Sequence, residues 1–306
     1  MKNVMNRNIK SRKTNSWSMD RFGVADIIIM LFITLLCLTC ILPFLHVAAK
    51  SISSDTAVLA KEVYFWPKGF VFAAYERVFK SAILMRQLGF TALITLLQTA
   101  LRLTLLALCA YPLSRRYLPG RWLITLYILI SMYFGAGLIP FFLTLKNLNL
   151  IDTIWVLILP GGFSAFDMII MRTFFMNSIP DSLEESAIID GASHFRILTQ
   201  IYIPLSKPVF ATLALFAAVG RWNGFGDAMY FVSDRKLHPI QLFLYNMILS
   251  AKPSETLLNE SQIGVVLPPE TLQAAMIMFA TIPILIVYPF LQKYFVKGVM
   301  IGAVKG

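Results

Sequence analysis

Glu184 and Glu185 are the residues whose type first suggests acid–base work, and their spacing argues against it. Adjacent residues on a helix point to different faces, so the two carboxylates make a poor general acid/base pair. They read instead as a surface charge and a helix cap. His46, His194 and His238 are scattered, with no second metal ligand at metal-site spacing. Cys37, Cys40 and Cys109 fall in apolar runs and imply neither a disulfide framework nor a metal cluster. No G-x-x-x-x-G-K-[ST] loop occurs, so that cradle for nucleoside triphosphate phosphates is missing. No catalytic residue, cofactor site or metal site is therefore expected in this chain. A different chemistry is open to Arg221-Trp222-Asn223 with Phe225. A tryptophan face can stack on the apolar face of a sugar, while Asn and Arg donate to hydroxyls. The alternative is packing between helices or an interfacial belt.

The two glutamates sit in a polar island in a greasy sequence, running from Ile179-Pro180 to Asp190-Gly191 and on to Ile201-Tyr202-Ile203-Pro204. Pro180 disfavours helix at the residue before it. Ser182 with Glu185 three positions on is a capping-box pattern, which predicts a helix start there. Asp190-Gly191 predicts its end, because glycine takes the left-handed conformation at little cost. The helix between them has roughly two turns, with small residues, Ser186 and Ala187, near its middle. A second short helix is expected from Ala192, before Pro204 and Pro208 open the next apolar run. Too short and too polar for a core element, the island reads as a docking element that leaves a bilayer and returns.

Composition supplies the bilayer. Hydrophobic residues make up 58% and charged residues 14%, with mean hydropathy +0.71; soluble domains average about 45–50% and about 25%. Six runs near the ~20 apolar residues of a span lie at Asp26–Ala48, Leu88–Pro112, Trp122–Leu145, Thr153–Arg172, Leu205–Tyr230 and Leu272–Tyr294. The first is too long and begins too late for a cleaved signal peptide. Lys2, Arg7, Lys10, Arg12, Lys13 and Arg21 before the first run, Arg115, Arg116 and Arg121 after the second, and Lys293, Lys297 and Lys305 at the end put both termini and the Glu185 loop in the cytoplasm by the positive-inside rule. The net charge of +11 is then a topology signal and an attraction to anionic lipid. Its residues form no single soluble patch, which argues against a nucleic-acid partner. Arg102, Asp167, Arg221 and Asp227 fall inside runs. A charge at the bilayer centre costs about 2.5–3.5 kcal/mol, so each needs a cavity or a partner.

The island resembles the cytoplasmic coupling loop of permease subunits in binding-protein-dependent ABC importers. That pattern is Glu-Ala-Ala, three residues, Gly, nine residues, Ile-x-Leu-Pro. Here it reads Glu185-Ser186-Ala187, Gly191 and Ile201-Tyr202-Ile203-Pro204, with Ser for one Ala and Ile for Leu. Ala110-Tyr111-Pro112-Leu113-Ser114-Arg115, Leu148-Asn149-Leu150-Ile151-Asp152-Thr153 and Trp222-Asn223-Gly224-Phe225 resemble turns and a fifth-span pair of carbohydrate-uptake, maltose-permease-like members. The ending Tyr288-Pro289 to Gly306 resembles the LplC-type branch, associated with complex oligosaccharide and polysaccharide uptake.

The resemblance implies an all-α integral membrane protein with the type I ABC importer permease fold, six spans and cytoplasmic termini, in a bacterial cell membrane. Residues 1–25 would be a basic tail, 26–87 the first span and an external loop, 88–294 the permease core with coupling loop 179–204, and 295–306 a cytoplasmic tail. Glu184, Glu185, Ser186, Ala187, Asp190, Gly191, Ile201 and Pro204 would couple to the ATPase; Arg221, Trp222, Asn223 and Phe225 would line the solute path. A second permease subunit, two cytoplasmic ATPase subunits that bind ATP with Mg, and an extracellular sugar-binding protein would complete the importer. The external loop 233–271, with Asn246, Lys252, Pro253, Ser254, Asn259, Glu260 and Pro268-Pro269, would reach that binding protein. An importer for amino acids or peptides, a secondary transporter and a non-transporting receptor subunit are the alternatives.

Overall fold

The computed structural model describes residues 24–250 and 269–303, all helix, turn or loop without a strand among them. The basic tail before Val24, the outer-loop residues Lys252 to Pro268 and the last three residues lie outside the described residues, as do side chains beyond Pro289. Helix α1 is Val24–Ser51, and α2, Asp55–Leu59, and α3, Ala73–Lys80, follow it. The long α4 covers Ala82–Ser114. Helices α5, Arg121–Tyr133, and α6, Leu138–Asn147, form a bent pair. A second is made by α7, Ile154–Ile158, and α8, Ala165–Ser178. The polar island becomes α9, Asp181–Ile189, and α10, His194–Ile197. A π-turn over Leu198–Tyr202 leads into α11, Ile203–Leu205, and then α12, Lys207–Asn223. The chain continues through α13, Gly226–Phe231, and α14, Ile240–Ser250, and ends in α15, Pro269–Ala303.

Three of the expected spans are single helices: α1, α4 and the Glu270–Pro289 stretch of α15. The other three are broken, so one continuous helix per apolar run is a correction. The third run bends by 116° between α5 and α6. Gly137 there takes φ +81° with ψ 173°, an extended positive-φ conformation essentially reserved for glycine. The fourth run bends by 44° at Phe163-Ser164, between the segments Ile154–Gly162 and Ala165–Ser178. Gly161 and Gly162 let α4 come close: a Cβ on either would collide with Gln98 or Leu101. The fifth bends by 82° around Ser206, and its straight part stops at Asn223 rather than Tyr230.

Helix α4 is the central post, packing on α8 and α12, while α15 packs on α12, α1 and α3. At 33 residues it is ~50 Å long, against a ~30 Å hydrocarbon core. Its length exceeds that thickness, leaving room at its ends for extra-membrane elements to dock. Near its start, Thr91 Oγ1 accepts from Ile240 N at 2.9 Å, and Lys50 pairs with Glu270 at 2.7 Å across α1 and α15. Its far end meets α9. The loop after α6 and the loop before α14 join through Asp152, whose carboxylate accepts from Ser233 N at 2.6 Å and Asp234 N at 2.9 Å. Most of α1 between Ile27 and Leu45 is an exposed apolar surface, suited to lipid or a partner helix.

Inside the spans, charges are paired within the chain. Arg102 meets buried Asp167 at 2.7 Å, tying α4 to α8. Such pairing is what lets ionisable groups reside at membrane depth.

Candidate functional site

The coupling element is built from α9 outward. Pro180, extended at φ −62° and ψ 136°, precedes the helix, which starts at Asp181. The expected capping box is therefore corrected: Ser182 already lies in the first turn, and no side chain caps the end. Asp181 and Glu184 in the first turn meet the positive end of the helix dipole instead. Ser186 Oγ donates back to Ser182 O at 2.9 Å. The expected stop is present. Gly191 takes φ +76°, Ala192 N donates to Ala187 O at 2.9 Å and Gly191 N to Ile188 O at 3.0 Å, which is the Schellman closure. Ser193 then caps α10, its Oγ accepting from Arg196 N at 3.4 Å.

The element shows solvent an uneven face. Glu185, Ser186, Asp190, Gly191 and Pro204 are exposed, while Ala187 and Ile201 are half-buried against the inner core around Met171, Phe175 and Tyr202. Beside the polar groups stand bare apolar side chains: Ile189 is 85% exposed and Phe195 69%, with Leu183 and Ile188 also uncovered. An apolar cluster on the tip of a polar loop has the makings of a contact surface.

Glu184 departs most from its reading as a surface charge: it is 3% exposed. Its Oε1 accepts from Tyr117 OH at 3.1 Å and Tyr111 OH at 3.3 Å, and its Oε2 from Tyr202 OH at 3.1 Å. Arg115, itself buried, forms an ion pair with Oε2. The Arg115 guanidinium lies 4.5 Å from the Tyr202 ring centroid and 5.2 Å from that of Tyr111, within cation–π range. Its Nε and Nη2 donate to Ser114 Oγ at 3.1 and 3.0 Å. A phenol has one proton. With it given to Glu184, Tyr111 accepts from Nδ1–H of His194, 3.2 Å away. A buried carboxylate is tolerable only when paired and fully hydrogen-bonded, and this one is. The end of α4 is fastened by two further arginines, Arg172 donating to Leu113 O at 2.8 Å and Arg121 to Arg115 O at 3.2 Å. Sequence reasoning missed Tyr111, Arg115, Tyr117, His194 and Tyr202 as parts of this site. Tyr111 and Arg115 stood in a quoted motif, but nothing in it pointed to Glu184.

The second group lies at the far end of α12. Arg221 is 5% exposed and ion-paired with Asp227. It also donates to Gly224 O at 2.8 Å, to Asp227 Oδ1 at 3.0 Å and to Leu157 O at 3.1 Å. Trp222 is buried, its indole N–H donating to Ala280 O of α15 at 3.1 Å. It borders an apolar cavity of ≈ 250 Å³ between α4, α12 and α15. Phe225 stacks on Tyr245, ring centroids 4.6 Å apart. Asn223 is exposed. Arg221 and Trp222 thus have protein partners for their polar groups, and Asn223 is the member that faces outward.

The described helices form a bundle in which three are long and apolar enough to cross a membrane, with a fastened polar loop at one end, the build of a membrane protein. Residues 103–301 match the family described as binding-protein-dependent transport system inner membrane component, and the chain belongs to that family. It is 40% identical over 281 residues to the polygalacturonan/rhamnogalacturonan transport system permease protein YtcP of Bacillus subtilis (strain 168), covering 92% of this chain and 98% of that one. To Protein LplC of the same organism it is 42% identical over 267 residues, covering 87% and 90%. Among solved structures it is similar to a chain of a bacterial ABC transporter involved in the import of the acidic polysaccharide alginate, at TM-score 0.83 and 34% identity, covering 90% and 99%.

Proposed function

We propose that this chain is one of two permease subunits of an ATP-driven importer and forms the membrane path for an oligosaccharide or polysaccharide fragment, an acidic one in the first instance. The carrying observation is the exposed, Schellman-closed α9–α10 element on the end of a membrane bundle. One of two ATPase subunits would dock there from the cytoplasm, the pair hydrolysing ATP with Mg. An extracellular binding protein would deliver the sugar at the opposite end, and the chain would cross the bacterial plasma membrane six times with both termini inside. Glu185, Ser186, Asp190 and Gly191 would meet the ATPase, with Ile189 and Phe195 as apolar anchors; Ala187, Ile201 and Pro204 would set the turn. Asn223 would face the solute, with Arg221, Trp222 and Phe225 shaping the wall behind it. The identities to YtcP and LplC and the likeness to the alginate importer support the sugar class.

The test is purification of the tagged chain from its own membranes, identification of the co-purifying chains, and uptake of a galacturonate oligosaccharide by the reconstituted complex. The expected result is a second permease, an ATPase and ATP-dependent uptake. Recovery without an ATPase, or uptake that survives ATP depletion, would refute the proposal.

A further inference from the structure

We infer that Glu184 is a positioning residue, which makes α9 and the far end of α4 one rigid body so that a push on α9 is delivered to the spans through the Glu184–Arg115 pair. The inference rests on the docking reading of residues 179–204. Among the described residues, helix α9 has no extensive backbone contact with another helix. Glu184 is its one buried residue. A push on the exposed tip passes through this side chain and Ala187 beside it, as well as along the chain at Ile179 and Ala192, which pack on the same core. Its partners belong to three different segments: Tyr111 and Arg115 at the end of α4, Tyr117 in the link to α5, and Tyr202 in the π-turn above the bend at Ser206. An apolar contact would let the helix slide or roll. Charge-assisted hydrogen bonds and a stacked guanidinium have fixed directions and hold one orientation. The π-turn places Tyr202 on this knot, and π-turns recur at functional sites. Movement of α9 is then shared between α4 and the α11–α12 bend, and both lead to helices that pack on each other.

Three measurements on the complex reconstituted with its ATPase test this. The first attaches spin labels at Asp181→Cys on α9 and Arg116→Cys past α4, both exposed, and compares distances with and without ATP. A rigid joint gives one narrow distance in both states, broadened by Glu184→Gln. A wild-type distance that shifts with nucleotide would overturn the inference. The second uses binding protein loaded with a galacturonate oligosaccharide and reads sugar imported per ATP hydrolysed, a ratio that does not depend on how much complex assembles. Glu184→Gln keeps the shape and removes the charge, and a fall of about fivefold or more is expected, the low end of site-to-site coupling. Should Glu184→Gln fail to assemble, the double variant Arg115→Met with Glu184→Met replaces the pair by apolar side chains, a change that buried ion pairs often tolerate in stability. It is expected to assemble and to show the same loss, and a wild-type ratio in it would overturn the inference. The third is Ile189→Asp on the exposed face, which probes docking alone. Loss of bound ATPase in Ile189→Asp with a wild-type ratio in the Glu184 variants refutes the joint and leaves docking standing. Ile189→Asp complex that retains ATPase in the wild-type amount refutes the docking reading and the joint with it.

Discussion

Gly191 isolates one physical term at the coupling element. Its φ of +76° is left-handed, and an added Cβ would meet nothing within 4 Å. Gly191→Val therefore introduces no clash, and its whole cost is the backbone conformation. That cost is about 1–2 kcal/mol for an L-residue, and a β-branched side chain is a clear outlier there. One to two kcal/mol is a factor of about 5–30 in a two-state equilibrium, so the Schellman closure between Ala192 N and Ala187 O opens and the last turn of α9 frays. The element would present Ile188 and Ile189 in many orientations instead of one. The assay is sugar uptake and binding-protein-stimulated ATP hydrolysis in proteoliposomes, with thermal melting alongside. Gly120→Val is the matched control: φ is +72° and ψ 3°, a left-handed conformation, the space is equally open, and the residue sits just before α5. Both variants are expected to assemble with similarly lowered melting temperatures, and only Gly191→Val to uncouple hydrolysis from uptake. Wild-type coupling in Gly191→Val, or equal uncoupling in both, would refute the reasoning.

Asp227→Asn leaves the Arg221 guanidinium buried with carbonyl acceptors alone. Breaking a fully buried pair costs about 3–5 kcal/mol; Asp227 is 29% exposed, so ~2–3 kcal/mol is expected, read as a lowered melting temperature, and an unchanged melt would show that the pair carries no load. Asn223→Ala is expected to alter the concentration dependence of sugar uptake in an intact complex, whereas Trp222→Phe, which removes the indole hydrogen bond to Ala280 O, should lower stability by about 1 kcal/mol with uptake kinetics kept; the reverse pattern would exchange their roles. Cysteines at Lys61 and Gly191 should label from outside and inside respectively in sealed cells, and outside labelling at Gly191 would end the six-span topology. The Asp152 carboxyl is held below its ordinary range by the backbone N–H groups of Asp234 and Ser233. A depressed acid stabilises above its unfolded pKa and loses that contribution as pH falls through the folded value, so acidification below about pH 4 should loosen the wild type more than Asp152→Asn, and parallel acid profiles would count against it.

What the sequence made legible were the features set by local chemistry. Composition and run length gave the membrane class, and Asp190-Gly191 gave the end of α9, because a left-handed closure is written in a single glycine. Asn149 and Asp152, also at positive φ, sit in a motif legible for the same reason. The bends were hidden. Apolar runs carry no record of direction, and the 116° turn at Gly137 and the 82° turn at Ser206 both fall inside them. Glu184 was hidden more thoroughly, since Tyr111 lies 73 residues away and Tyr117 lies 67 away. A glutamate beside another glutamate looks like surface, and only the fold brings a cation and three phenols to one of them.

Arg221 shows the converse limit. An arginine next to a tryptophan in an apolar run demands an explanation, because an unpaired charge at membrane depth is expensive. The demand is for a partner of any kind, and the sequence does not say whether that partner is a solute or the protein. Here Asp227 stands six residues on, close enough to be noticed and separated by Gly224, whose carbonyl takes another of the guanidinium's protons. The same cost that made Arg221 look functional is met inside the chain, by a turn that folds back on the end of α12. That turn aims Asn223 outward. The polar stretch then divides by physical role: Arg221 and Trp222 hold the end of the helix in place, and the short amide between them and the turn is left exposed.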